Sequence, residues 1–208
     1  MKSYLPYLIL VCILALLGTA CARGDPAPAV RDGDLIFQTS RSSQSVAIQR
    51  ATGSAYSHVG LIFVRDETPY VFEAVATVRF TPLDSWIARG ASHHFVVKRL
   101  RNADTVLDTT GINRLRTAAL RFAGRPYDLT FEWSDDRIYC SELVWKAYDR
   151  GLGIDIGVLQ TMRDFNLTDP AVRAKLRQRY GDNVPLNEPV ISPVAMFRSN
   201  LLQTVAEQ

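Results

Sequence analysis

Ser57-His58-Val59-Gly60-Leu61-Ile62-Phe63-Val64 is an apolar run rich in β-branched and aromatic residues. After Arg65 to Pro69 a second such run follows, Tyr70-Val71-Phe72-Glu73-Ala74-Val75. Two strands this close in sequence pair as an antiparallel hairpin, because a parallel pair needs a much longer crossover. Shorter strand-like runs lie nearby. Asp32 to Gln38 turns into one, Val78 to Leu83 forms another, and His93 to Leu100 follows a helical turn over Asp84 to Ala88. Together they predict an antiparallel sheet. Helical spacing is expected over Ser42 to Thr52, Thr109 to Phe122 and Arg137 to Tyr148, and from the Asp169-Pro170 cap to Tyr180. An apolar segment from Ile191 to Val205 closes the chain. The fold class is α+β, and 208 residues suit one domain.

The N-terminus has a different composition. Met1-Lys2-Ser3-Tyr4 precedes an apolar run from Leu5 to Leu17, broken only by Pro6 and followed by the small residues Gly18-Thr19-Ala20-Cys21-Ala22. This pattern predicts a signal peptide over 1–22, since the apolar run is short for a membrane span. A Pro/Ala-rich tether over 23–31 leads to the domain over 32–208. Two processing routes compete: cleavage after Ala22, or lipidation of Cys21 in a box where Gly18 replaces the usual Leu. Either route exports the protein, to a bacterial periplasm or as an outer-envelope lipoprotein. A membrane then enters only through that N-terminal anchor. The net charge is +3 and no concentrated Lys/Arg run exists, so nothing suggests a nucleic-acid partner.

Export gives the cysteine count its meaning. Cys12 falls in the removed segment and Cys21 is removed or lipidated, leaving Cys140 as the one thiol of the mature chain. A leftover thiol in an oxidising compartment is a candidate reactive group. Cys140 opens an amphipathic helix carrying Leu143, Val144, Ala147 and Tyr148, with Asp135 and Asp136 before it and Gly151 as a stop signal. A helix N-terminus favours the thiolate. The competing reading is a small buried core residue.

Thiol hydrolysis also needs an imidazole, a group to orient it and donors for an oxyanion. His58 opens the strongest strand and Glu73 sits in an apolar one, where a carboxylate is costly unless paired. A turn at Arg65-Asp66 would place His58 directly opposite Glu73. A turn at Glu67-Thr68 would place Glu73 opposite Ile62, roughly 13 Å along the ladder from His58. His93-His94 lacks any zinc-site spacing and reads as a solvent-facing strand start, so no metal and no cofactor is expected. Asp128, Asp135 and Asp136 read as loop and helix-start residues. Phe131 and Trp133 read as either a substrate wall or core.

Four segments in order resemble one family: Tyr56-Ser57-His58-Val59-Gly60-Leu61, Phe72-Glu73-Ala74, Gly124-Arg125-Pro126-Tyr127-Asp128 and Tyr139-Cys140-Ser141-Glu142-Leu143-Val144. These are the circularly permuted papain-like hydrolases, the YiiX/YaeF/YebB-like amidases of the NlpC-type superfamily, related to lecithin retinol acyltransferase. The resemblance runs from about Gly33 to Leu201, and Ile191-Ser192-Pro193 looks like the family's closing segment. It implies a permuted papain-like fold with an antiparallel sheet packed against helices and the nucleophile at a helix N-terminus. It further implies Cys140 as nucleophile, His58 as general base and acid, and Glu73 as the group orienting the imidazole. Tyr127 and the Cys140 backbone N–H would supply the oxyanion hole. Relatives vary at the third position, so Glu73 is the role carried least directly.

The function expected is an exported cysteine hydrolase cleaving amide bonds, with cell-wall peptides the usual substrates of the superfamily. A lipid acyl hydrolase or acyltransferase is the second reading, favoured by a lipid anchor and an apolar groove. A catalytically silent envelope binding module is the third, and the intact Cys140/His58 pair weighs against it.

Overall fold

The structure is a computed structural model and describes residues 29–208. The signal segment, Cys21 and most of the tether lie outside the described residues. The hairpin forms as β2 (His58–Arg65) and β3 (Thr68–Ala74), flanked by β1 (Leu35–Gln38), β4 (Val78–Pro82), β5 (Val96–Leu100) and, at the far edge, β8 (Leu202–Glu207). All pair antiparallel in the order β4-β3-β2-β1-β5-β8. A separate short ladder joins β6 (Gln160–Thr161) and β7 (Pro189–Val190). The helices are α1 (Ser43–Thr52), α2 (Leu83–Arg89), α3 (Ala103–Val106), α4 (Thr109–Leu120), α5 (Cys140–Leu152), α6 (Pro170–Tyr180) and α7 (Pro193–Phe197).

Both faces of the central strands are covered, which explains why β1 and β2 read as continuous apolar runs rather than alternating ones. Phe37, Val59, Leu61, Phe63 and Phe72 point to one side, with Leu115 and Ala119 of α4 and Leu143, Val144 and Tyr148 of α5. Ile36, Ile62, Val71 and Val97 point to the other, under Leu83 and Trp86 of α2. The apolar stripe expected on the Cys140 helix is therefore the surface that docks it on the sheet.

Three details differ from the sequence reading. The Cys140 helix does not stop at Gly151 but runs to Leu152, and Gly153 caps it with φ 66°. Gly151 instead lies at the crossing with α4, where a Cβ would stand 2.9 Å from the Leu115 Cα. The strand expected from His93 starts at Val96, because Ser92 and His93 take positive φ in a 3-10 turn. The closing segment is also not one element: it holds the short α7 and then the edge strand β8.

Replacing Gly151 by Val should destabilise the protein by about 1–3 kcal/mol, because the obstacle is backbone and cannot rotate away. Urea denaturation checks this. A stability equal to that of the parent would show that the helix crossing tolerates separation.

Candidate active site

The β2–β3 turn falls at Asp66-Glu67, between the two turns considered from sequence, and both residues take positive φ. Leu61 faces Phe72, and one further step in that register puts Glu73 opposite Gly60. His58 is then neither opposite Glu73 nor four residues away but two, a diagonal neighbour on the same face. Gly60 stands between them, where a Cβ would meet Val71 Cγ1 at 2.2 Å and Glu73 Cβ at 3.6 Å. The long side chains close the diagonal, with His58 Nε2 2.7 Å from Glu73 Oε2.

Glu73 is fully buried, and each of its oxygens takes two bonds. Oε2 accepts from Trp86 Nε1 at 2.9 Å and shares a hydrogen bond with His58. Oε1 accepts from Thr81 Oγ1 at 2.6 Å and from Arg89 Nη2 at 2.5 Å. Burial alone would raise its pKa, but the His58 contact, the Thr81 bond and the Arg89 charge outweigh it and hold the carboxyl below its ordinary value. Trp86 also stacks on the imidazole, with ring centroids 5.9 Å apart. Thr81, Trp86 and Arg89 were not singled out from sequence. Trp86 and Arg89 share one face of α2 at helical spacing, but nothing local says that this face covers β3.

Cys140 is the first residue of α5 and belongs to the cluster on the opposite sheet face. Thiol and imidazole therefore approach from two sides and meet at the open end of β2. Since Nε2 is engaged by Glu73, Nδ1 is the ring nitrogen left for the thiol. Burial disfavours a Cys140 thiolate, yet the hydrogen bond and charge of His58, with the Val59 and Ser141 backbone N–H groups, lower its pKa. Burial likewise works against the imidazolium, but Cys140 and Glu73 together raise His58 from 6.5 to about 9. Each group thus favours the charged form of the other. Cys140 is a buried residue, as the core reading supposed, and a polarised one as well.

The start of α5 is held by its neighbours. Glu142 Oε2 accepts from the Tyr139 N–H at 3.4 Å, and Ser141 Oγ donates to Ile191 O at 2.8 Å. The Ile191 N–H donates to Tyr139 Oη at 3.0 Å, which fixes Ile191-Ser192-Pro193 beside the thiol. Asp135, expected to serve the helix start, instead pairs with Lys146 and Arg150 further along α5. Asp128 is buried and accepts from the Thr130 N–H and hydroxyl, so it shapes its own loop. Phe131 and Trp133 divide the two roles: Phe131 lines the cavity beside Cys140, whereas Trp133 packs on Trp145 and Lys146.

Tyr127 sits on a segment that bridges to Thr77 at Pro126 and to Ile138 at Tyr127. Burial and the neighbouring Cys140 charge push its pKa well above the ordinary value, so it stays a donor at neutral pH. Its direction is set by a relay. Arg179 Nη2 donates to Gln44 Oε1 at 2.8 Å, which leaves Gln44 Nε2 to donate to Tyr127 Oη at 3.1 Å. The phenol hydrogen is thereby turned away from Gln44 and towards Cys140, with which it hydrogen-bonds. Gln44 and Arg179 are the other residues missed from sequence, since they lie on α1 and α6, far from any motif.

Two spaces meet at this site. A cavity of about 90 Å³ holds Cys140 and is walled almost wholly by apolar groups, among them Ala47, Ile48, Phe131, Met162, Phe165 and Val190. A larger open groove holds His58. Among the described residues no cluster of three or more His, Cys, Asp or Glu side chains is placed to hold a metal.

Residues 29–206 match the family described as permuted papain-like amidase enzyme, YaeF/YiiX, C92 family. The chain is 50% identical over 176 residues to the uncharacterized protein YiiX of Escherichia coli K12, covering 85% of this chain and 86% of that one. It is also similar to the crystal structure of YiiX from Escherichia coli O157:H7, a protein described there as a metalloprotein. That match has a TM-score of 0.82 and 50% identity, over 86% of this chain and 97% of the other.

The geometry changes what a Gln at position 73 should do. Glutamine can still accept a hydrogen bond, so from sequence alone a mild effect is expected. The structure shows four donors aimed at two carboxylate oxygens, and an amide NH2 accepts none of them. Glu73→Gln should cost about 1–3 kcal/mol of stability, measured by urea denaturation. It should also move the alkaline limb of kcat/KM, expected in the parent near pH 9 where His58 loses its proton, to lower pH. An unmoved limb would leave the orienting role unsupported. Tyr127→Phe should lower kcat by about 10²–10³, as loss of an oxyanion donor does, with little change in urea stability.

Proposed function

The chain belongs to the permuted papain-like amidase family of YaeF and YiiX, and from that premise we propose that it is a cysteine hydrolase working through Cys140, His58 and Glu73. The observation that carries this reading is the buried His58–Glu73 contact at 2.7 Å beside a thiol whose pKa is lowered. The Cys140 thiolate attacks the carbonyl carbon of an amide. The oxyanion that forms is bound by the Tyr127 hydroxyl and the Cys140 N–H. On collapse the C–N bond breaks, and the amine leaves with the proton held at His58 Nδ1. A thioester now links the acyl group to Cys140. Neutral His58 then takes a proton from water, the hydroxide equivalent attacks the thioester, and carboxylic acid and thiolate separate. Glu73 holds the ring in one orientation and favours its protonated form.

The acyl side of the substrate must occupy the space on the Cys140 side. That cavity is apolar and has room for several heavy atoms, enough for a side chain or a short acyl segment. This favours the lipid-like acyl reading over charged cell-wall peptides for the part that becomes covalently attached. Amides and esters of an apolar acyl group are the substrates proposed. Export through the 1–22 segment to the periplasm or outer envelope, with Cys21 lipidated or removed, is proposed on the sequence pattern alone. A substrate from the cell envelope follows from that location.

Incubation with an activated ester of an apolar acid should add one acyl group to the protein by intact mass, and Cys140→Ala should remove the adduct while keeping its urea transition. An adduct that persists in Cys140→Ala would contradict the thiol mechanism. Fractionation of cells should place the mature chain in the envelope, and Cys21→Ser should release it if that residue carries the anchor.

A further inference from the structure

The apolar cavity and the open groove share Gln44, Ile48 and Tyr127, but Cys140 lines only the cavity and His58 only the groove. In the mechanism above the acyl group stays on sulfur, whereas the leaving group takes its proton from His58. The leaving group must therefore lie in the groove, and the groove's chemistry selects it.

That chemistry is cationic. Arg41, Arg89 and Arg137 line the groove, and no Asp or Glu does. Arg89 is partly matched by Glu73, with its side chain still 40% exposed. Arg41 and Arg137 make no ion pair among the described residues, and both are exposed. The N-terminus of α1 opens into the same space through Ser42, Ser43 and Gln44, and its first turn carries no acidic residue to offset the positive end of its dipole. His58 itself, held protonated up to about pH 9, adds to the positive field.

We infer that the groove is a leaving-group subsite for an anion: the substrate joins an apolar acyl group, through an amide or ester, to an amine or alcohol bearing a carboxylate or phosphate. This rests on the cysteine-hydrolase reading and adds to it the half of the substrate that departs. The same field opposes a cationic leaving group. The anionic amine or alcohol leaves the groove before water takes its place beside His58, so the free leaving group should compete with substrate for the groove and act as a product inhibitor.

The test compares amides of one short apolar acid with glycine, aminoethyl phosphate, ethanolamine and ethylenediamine, in the full chain. The glycine and phosphate arms separate carboxylate from phosphate, and the other two supply neutral and cationic counterparts. The better anionic substrate should exceed the neutral one in kcat/KM by about tenfold, the size expected of two exposed charge pairs and one helix terminus. The ratio should shrink with added salt. It should fall towards one in the Arg41→Gln/Arg137→Gln double variant and survive in Arg41→Lys/Arg137→Lys, which keeps the charge. Equal rates for anionic and neutral amides would overturn the inference. So would a preference that survives Arg41→Gln/Arg137→Gln, or an absence of amide turnover in a protein whose Cys140 is acylated normally by an activated ester. Failure of that acylation would instead overturn the hydrolase reading beneath it.

Discussion

The buried carboxylate of Glu73 is the constraint around which the site is built. A charged group with no exposure is tolerated only when its lone pairs are matched, and here the four donors come from β2, β4 and α2. Satisfying it fixes how α2 lies on the sheet, since Trp86 and Arg89 must both reach the carboxylate. The same requirement aims His58, because Oε2 is shared between imidazole and indole. The packing of one sheet face is thus tied to the protonation of one ring nitrogen.

The other face brings Cys140. Helix α5 docks on it through an ordinary apolar stripe, and its first residue arrives at the end of β2 where His58 begins the strand. Neither element alone makes a polarised thiol. Cys140 is buried, which disfavours its charge, and His58 is buried, which disfavours its own. Each lowers the cost of the other's charge, so this mutual support requires both faces of the sheet to be in place. The Tyr127 hydroxyl comes from a third direction, held by a relay that runs from α6 through α1.

The sequence made the elements legible because they rest on local periodicity. The hairpin, the long helices and the position of Cys140 at a helix start are all of this kind. The hairpin register was not legible, because the turn uses Asp66-Glu67 with positive φ at both positions and lacks the Asn-Gly or Asp-Gly signature of such turns. The two turns weighed from sequence flank the real one. Both preserve the face of Glu73, which is why the His58–Glu73 pair could be suspected without its distance. Trp86, Arg89 and Arg179 are separated from the motifs by whole elements, Thr81 lies on the neighbouring strand and Gln44 at the far end of α1, and only the docked structure brings them to the site. The resemblance to the permuted family supplied the roles expected of Cys140, His58 and Tyr127, and the structure brings these three side chains together.

The central claim is that His58 activates the Cys140 thiol. The rate of Cys140 alkylation by iodoacetamide against pH, in the parent and in His58→Ala, tests it most directly. Fast labelling that persists well below the ordinary thiol pKa of about 8.5, and that shifts to the ordinary profile in His58→Ala, is the result expected. A slow rate with an ordinary thiol profile, the same in both proteins, would contradict the account and return Cys140 to the core.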